Sequence, residues 1–120
     1  MMGMDVIGYA PENEQGEYFR RNVWWWHLLW DFTIDVTDFD LDPDGEGHYN
    51  QGFFVDGDQA KRIARCLRLA IERGDALRFQ QAIEKDNRKL EPNAVTYFFN
   101  VESVVEFADF MDHSGGFSIY

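Results

Sequence analysis

A single cysteine, Cys66, stands among the 120 residues, so no intrachain disulfide can form and no multi-cysteine zinc site can be built. Inside a helical pattern this lone thiol reads as a small buried hydrophobe, in a chain suited to a reducing compartment. Long apolar runs are missing as well. The richest stretch, Val23 to Trp30, falls far below the roughly 20 residues of a membrane span. The N-terminus has neither the basic start nor the apolar centre of a secretory signal, and these absences predict a soluble, cytoplasmic protein. Positive charge is scarce: 11 Lys and Arg stand against 22 Asp and Glu, a net charge of −11. Such a field repels nucleic-acid phosphates and anionic lipid head groups, so no direct nucleic-acid or membrane partner is expected. Its natural complement is a basic protein. No HExxH, GxSxG or phosphate-cradling glycine motif occurs, and no enzymatic activity is expected.

What the chain does have is aromatic surface. Four tryptophans lie within the seven residues Trp24 to Trp30, inside a composition that is 17% aromatic. A buried aromatic brings on the order of 150 to 250 Å², so this segment can anchor the core of a small domain. Projected at 100° per residue, a helix from about Glu17 to about Val36 is apolar almost all round, with Asn22 as the weak point from which a later start, nearer His27, is the alternative. Glu17, Arg20, Trp24, His27, Asp31 and Asp35 form its one polar strip, while Trp25, Trp26 and Trp30 fall among the apolar positions.

Met4–Tyr9 reads as a strand closed by Ala10-Pro11, and Glu12–Gly16 as a polar connector. Turn residues make Asp38–Gly52 a loop, whose end Phe53, Phe54 and Val55 tack to the core. Asp58 is the expected N-cap of a helix reaching Arg73, with Ala60, Ile63, Ala64, Leu67, Ala70 and Ile71 inward and Gly74 as its stop. Asp75 is the expected cap of a second helix, ending near Leu90, that buries Ala76, Phe79, Ala82, Ile83 and Leu90. Beyond Pro92, Ala94–Phe99 reads as extended chain with Tyr97, Phe98 and Phe99 inward. Asn100 caps a last helix, Val101 to about His113, striped by Val101, Val104, Val105, Ala108 and Met111 and widened by Phe107 and Phe110. Gly115-Gly116 ends it, and Phe117–Tyr120 forms a strand whose partner is Met4–Tyr9. The expected fold is one α+β domain over residues 1–120, predominantly α, with about four helices and a small two-stranded sheet of the N- and C-terminal strands.

Charge is unevenly spread. Residues 58–89 hold nine of the eleven Lys and Arg against five acids, about +4, which leaves about −15 for the rest. From Asp31 to Asp58 there are nine acids and no Lys or Arg. The acidic span is expected to lie near the basic hairpin within one molecule, or to meet the hairpin of a second copy in a dimer.

The run Gly16-Glu17-Tyr18-Phe19-Arg20-Arg21-Asn22-Val23-Trp24-Trp25-Trp26, followed by Leu29-Trp30-Asp31, resembles a family of short uncharacterised bacterial and phage proteins. The closing Asn100–Phe107 and Gly115–Phe117 share that resemblance. The family has no assigned activity, so the resemblance implies kinship in fold. It also places Leu28 where such relatives often carry proline.

Two kinds of site emerge. Arg20, Trp24, His27, Asp31, Asp35 and Asp38 form the expected binding strip, because a tryptophan set among charges is typical of interface hot spots. Asp40, Asp42 and Asp44 with Gly45 copy the first half of a calcium loop, although Gln51 stands where the bidentate Glu belongs. The function expected is a small acidic interaction module, such as a phage-derived inhibitor or nucleic-acid-mimicking decoy acting on a basic partner, without a cofactor. The alternative is a metal-binding (calcium) or hydrolytic domain using the acidic loop or a His27/Asp31 pair.

Overall fold

Asn22 decides where the first helix begins. In the computed structural model, which describes residues 3–92, 94 and 96–120, its backbone is extended and its side chain accepts the N–H of Trp24 at 3.1 Å. That cap separates two elements that periodicity alone had joined. Ahead of it, Tyr18–Asn22 is a strand, β2, pairing antiparallel with β1 (Gly3–Gly8) so that Val6 faces Phe19. Behind it runs α1, Val23–Val36. The expected helix start at Glu17 is thus corrected by six residues. Phe19 points inward while Tyr18 and Arg20 point out, the period of two that a half-buried strand requires.

The two-stranded sheet becomes four-stranded. β3 (Phe53–Asp56) pairs with β4 (Gly116–Ile119), β4 pairs with β1, and the order is β2-β1-β4-β3, antiparallel throughout. One face buries Met4, Val6, Phe19, Val55, Phe117 and Ile119, whereas Ile7, Tyr18 and Phe54 stand exposed on the other. Asp56, rather than Asp58, caps α2 (Gly57–Glu72) through a reciprocal bond with Gln59. Gly74, at φ 83°, ends that helix and, rather than Asp75, stands at the cap position of α3 (Asp75–Arg88), whose first turn holds Asp75. α4 (Val101–His113) is capped by Asn100 as expected.

Phe107 of α4 is the hub of the core. Its ring centroid lies 4.9 to 6.4 Å from those of Phe19, Trp26, Trp30, Phe110 and Phe117. Trp26 and Trp30 are fully buried and stacked, as their positions on the helix require. Other expected core residues are not inside. Trp25 is half-buried and stacks on Phe98, and both Phe98 and Tyr97 are exposed, leaving Phe99 as the buried residue of that run. Within the same run Val95 lies outside the described residues. Leu90, Ala82 and Val105 are exposed, Ile71, Phe79, Ile83 and Cys66 only half-buried. Among the described residues no helix is long and apolar enough to cross a membrane.

Candidate functional site

Buried indoles need hydrogen-bond acceptors, and the loop after α1 supplies them. Trp30 donates to Asp42 Oδ2 at 2.9 Å, and Trp26 donates to the carbonyl of Gly47 at 2.9 Å. The same Asp42 carboxylate accepts the N–H groups of Glu46 and Gly47 at 2.8 and 2.7 Å, folding residues 46–48 into a single 3-10 turn. Only glycine fits at 47, since a Cβ there would lie 2.3 Å from Trp30 Nε1. Asp42 is 5% exposed and faces the core, with Asp40 and Asp44 in solvent. Among the described residues no three His, Cys, Asp or Glu side chains converge as metal ligands.

The 3-10 turn delivers His48 to α1. His27 and His48 meet at 2.9 Å through their Nδ1 atoms, and His48 Nε2 lies 2.7 Å from Asp31 Oδ1. The expected His27/Asp31 pair is therefore bridged by a third residue. With the Nε2 proton of His48 donated to Asp31, its Nδ1 accepts from His27, whose own Nε2 is left as the open lone pair. Such a chain can pass a proton between the carboxylate and His27, the elementary step of acid–base chemistry. Burial holds His27 below its ordinary pKa, reinforced by His48 and opposed by Asp31. No spacing rule reaches His48 from His27. The available signal was indirect, in that two core indoles call for acceptors in the next loop.

The expected binding strip is divided. Arg20 lies on β2, outside the helix, where its guanidinium and the Tyr18 hydroxyl both donate to Asp5. The Tyr18 bond first, then Arg20, holds the Asp5 carboxyl below its usual range. Trp24 and His27 line a hollow of about 620 Å³ with Asp44, His48, Tyr49 and Tyr97. Asp31, Asp35 and Asp38 line a larger groove of about 940 Å³ further along α1 and at its exit. Its floor is apolar, from Phe32, Val36, Leu69, Phe79 and Ala82, and its far wall carries Arg73 and Arg78. Arg78 is already paired with Asp75, and Asp38 with Arg62 at 2.7 Å.

The basic hairpin is matched mostly by α4 and less by the acidic span. Arg68 holds Asp109 and Asp112 at 2.8 and 2.9 Å, and Lys61 bonds Glu12 at 2.9 Å. The acidic span contributes Asp38 to this matching through Arg62. Fold and site together define an α+β domain whose sheet is packed on one face and whose first helix lines two surface hollows. No protein-family model, no curated protein and no solved structure matches the chain.

Proposed function

We propose that the protein is an acidic interaction module that receives a basic amphipathic segment of a partner protein in the groove between α1, α2 and α3. The observation that carries this reading is the row Asp31, Asp35 and Asp38 beside an apolar floor in which Leu69 remains 43% exposed. Spaced by four and three, these carboxylates share one edge of α1 and its exit, matching a helix whose apolar ridge is flanked by lysine or arginine. The far wall adds Arg73, so one flank of the partner is free to be polar or acidic. A decoy for a nucleic-acid-binding surface is the narrower form of the same reading, and its mark is competition by nucleic acid.

The test uses a helical peptide of leucine and lysine, with a counterpart carrying glutamate for lysine. The lysine peptide is expected to bind, and to weaken at least about tenfold between about 50 and about 500 mM salt. Asp35→Lys should weaken it strongly and Glu102→Lys, the same charge change on exposed α4 surface, only slightly. Equal effects of the two substitutions, or equal binding of the two peptides, would remove the groove as the site.

A further inference from the structure

The smaller hollow has the chemistry of a cation cage. Trp24 and Tyr97 meet there nearly at right angles, with ring centroids 5.4 Å apart and planes at 80°. The amide of Phe98 donates to the carbonyl of Trp24 at 3.0 Å, which fixes the 97–98 segment against the first turn of α1. Tyr49 brings a third ring, and Asp44 a solvent-exposed carboxylate, to the same hollow. The residues lining it include no Lys or Arg.

Aromatic faces carry partial negative charge, and cations bind over them most strongly at tryptophan. Elsewhere in the molecule this attraction is already used, with Arg21 over Phe19 at 4.4 Å and Arg62 over Phe39 at 5.1 Å. Among the described residues the rings of Trp24, Tyr49 and Tyr97 have no such internal cation. The positive end of α1 is blunted at this point because Asn22 accepts the Trp24 amide. His27, held below its ordinary pKa by burial and by His48, carries less positive charge there than a free imidazole would.

We propose that this hollow binds an alkylated ammonium group, either a free quaternary amine or the side chain of a methylated lysine. An alkylated ammonium suits it better than a bare one, because its methyl groups fill the corner between rings and its hydration is weak. Simple lysine would keep much of its water. Among the described residues the hollow shares no lining residue with the acidic groove, the two being linked through the His48–Asp31 bond, so substitution of Trp24 or of Asp35 leaves the other site to be measured.

The probes are tetramethylammonium, a short peptide bearing trimethyllysine, and the same peptide bearing the neutral tert-butyl isostere, each titrated while the Trp24 indole resonance is followed. Both ammonium probes, or the peptide alone, should shift that resonance at millimolar concentration or below. Tetramethylammonium matching the peptide assigns a free amine, and a clear preference for the peptide assigns a protein side chain. The isostere should bind at least about tenfold more weakly, since charge is the only difference. Trp24→Ala should abolish binding, Trp24→Phe should retain part of it, and Asp44→Asn, on exposed surface, should weaken it a few-fold. Equal binding of the isostere, or no shift with either ammonium probe, overturns the proposal.

Discussion

α3 and α4 are nearly the same length, 14 and 13 residues, and each carries a clear apolar stripe. α4 buries Ser103, Val104, Phe107, Ala108, Phe110 and Met111, whereas α3 fully buries Ala76 alone. The difference lies in what surrounds them. α4 packs between α2 and the inner sheet face, where Phe107 touches rings from β2, α1 and β4. α3 leans from one side on Phe32 and Phe99 through Phe79, with ring centroids 5.4 and 4.6 Å away. Amphipathic pattern therefore tells which face of a helix looks inward, and the number of neighbouring elements decides how deep it sits. The incomplete cover over α3 is also what leaves the groove open.

The comparison can be broken most directly by truncation. Phe107→Ala should cost about 3 to 5 kcal/mol, and Ile83→Ala on half-buried α3 about 1 to 2 kcal/mol. Urea unfolding measures both, and similar losses would show that α3 is as much a part of the core as α4. A second test moves to the loop that clamps α1. Asp42→Ala leaves the Trp30 indole and two amides without their acceptor, for an expected loss of about 2 to 3 kcal/mol. The loop should then release His48 from His27, and an unchanged melting temperature would refute the clamp.

The smallest effect expected is set by pH. His27 binds its proton less readily in the folded chain than at its ordinary 6.5, because of burial first and His48 second. Below 6.5 the unfolded chain therefore takes up more protons, so this stability is complete above that value and declines as pH falls beneath it. Asp38 and Asp112, held below their ordinary 3.8 chiefly by hydrogen bonds from Arg62 and Arg68, lose their contribution only in stronger acid. Melting temperature should thus fall modestly from about pH 7.5 to about pH 5, and less so in His27→Gln. An identical slope in that variant would detach the effect from the histidine pair.

Much of the helical architecture was legible, because its punctuation is local. Asn100 caps α4 through Ser103, Gly74 turns α2 into α3, and Gly115-Gly116 releases the chain into β4. β2 was hidden by its brevity. Five residues that alternate inward and outward were absorbed into the neighbouring helical period, which placed Arg20 on a strip it does not share. β3 reads as a mere tack in the sequence because its pairing with β4 joins residues about half the chain apart. Trp25 was expected in the core because a wheel assigns direction without knowing that the first turn of α1 has Phe98 to lean on and little else. His48 depends on the Asp42 clamp, a contact no spacing expresses.

The strand order also ranks the pairings by the chain entropy each one costs. β1 meets β2 by closing the short span from Ile7 to Tyr18, at an entropic cost of about 2 kcal/mol. Joining β1 to β4 brings Val6 opposite Ile119, and closing that span in an unstructured chain costs about 4 kcal/mol. The centre of the sheet is thus the most expensive pairing to nucleate, although it is the one the finished molecule shields best. Helices that draw the ends together shorten the effective span, so the clasp of the two terminal strands is expected to form last, with φ-values at Val6 and Ile119 below those at Phe19 as the check.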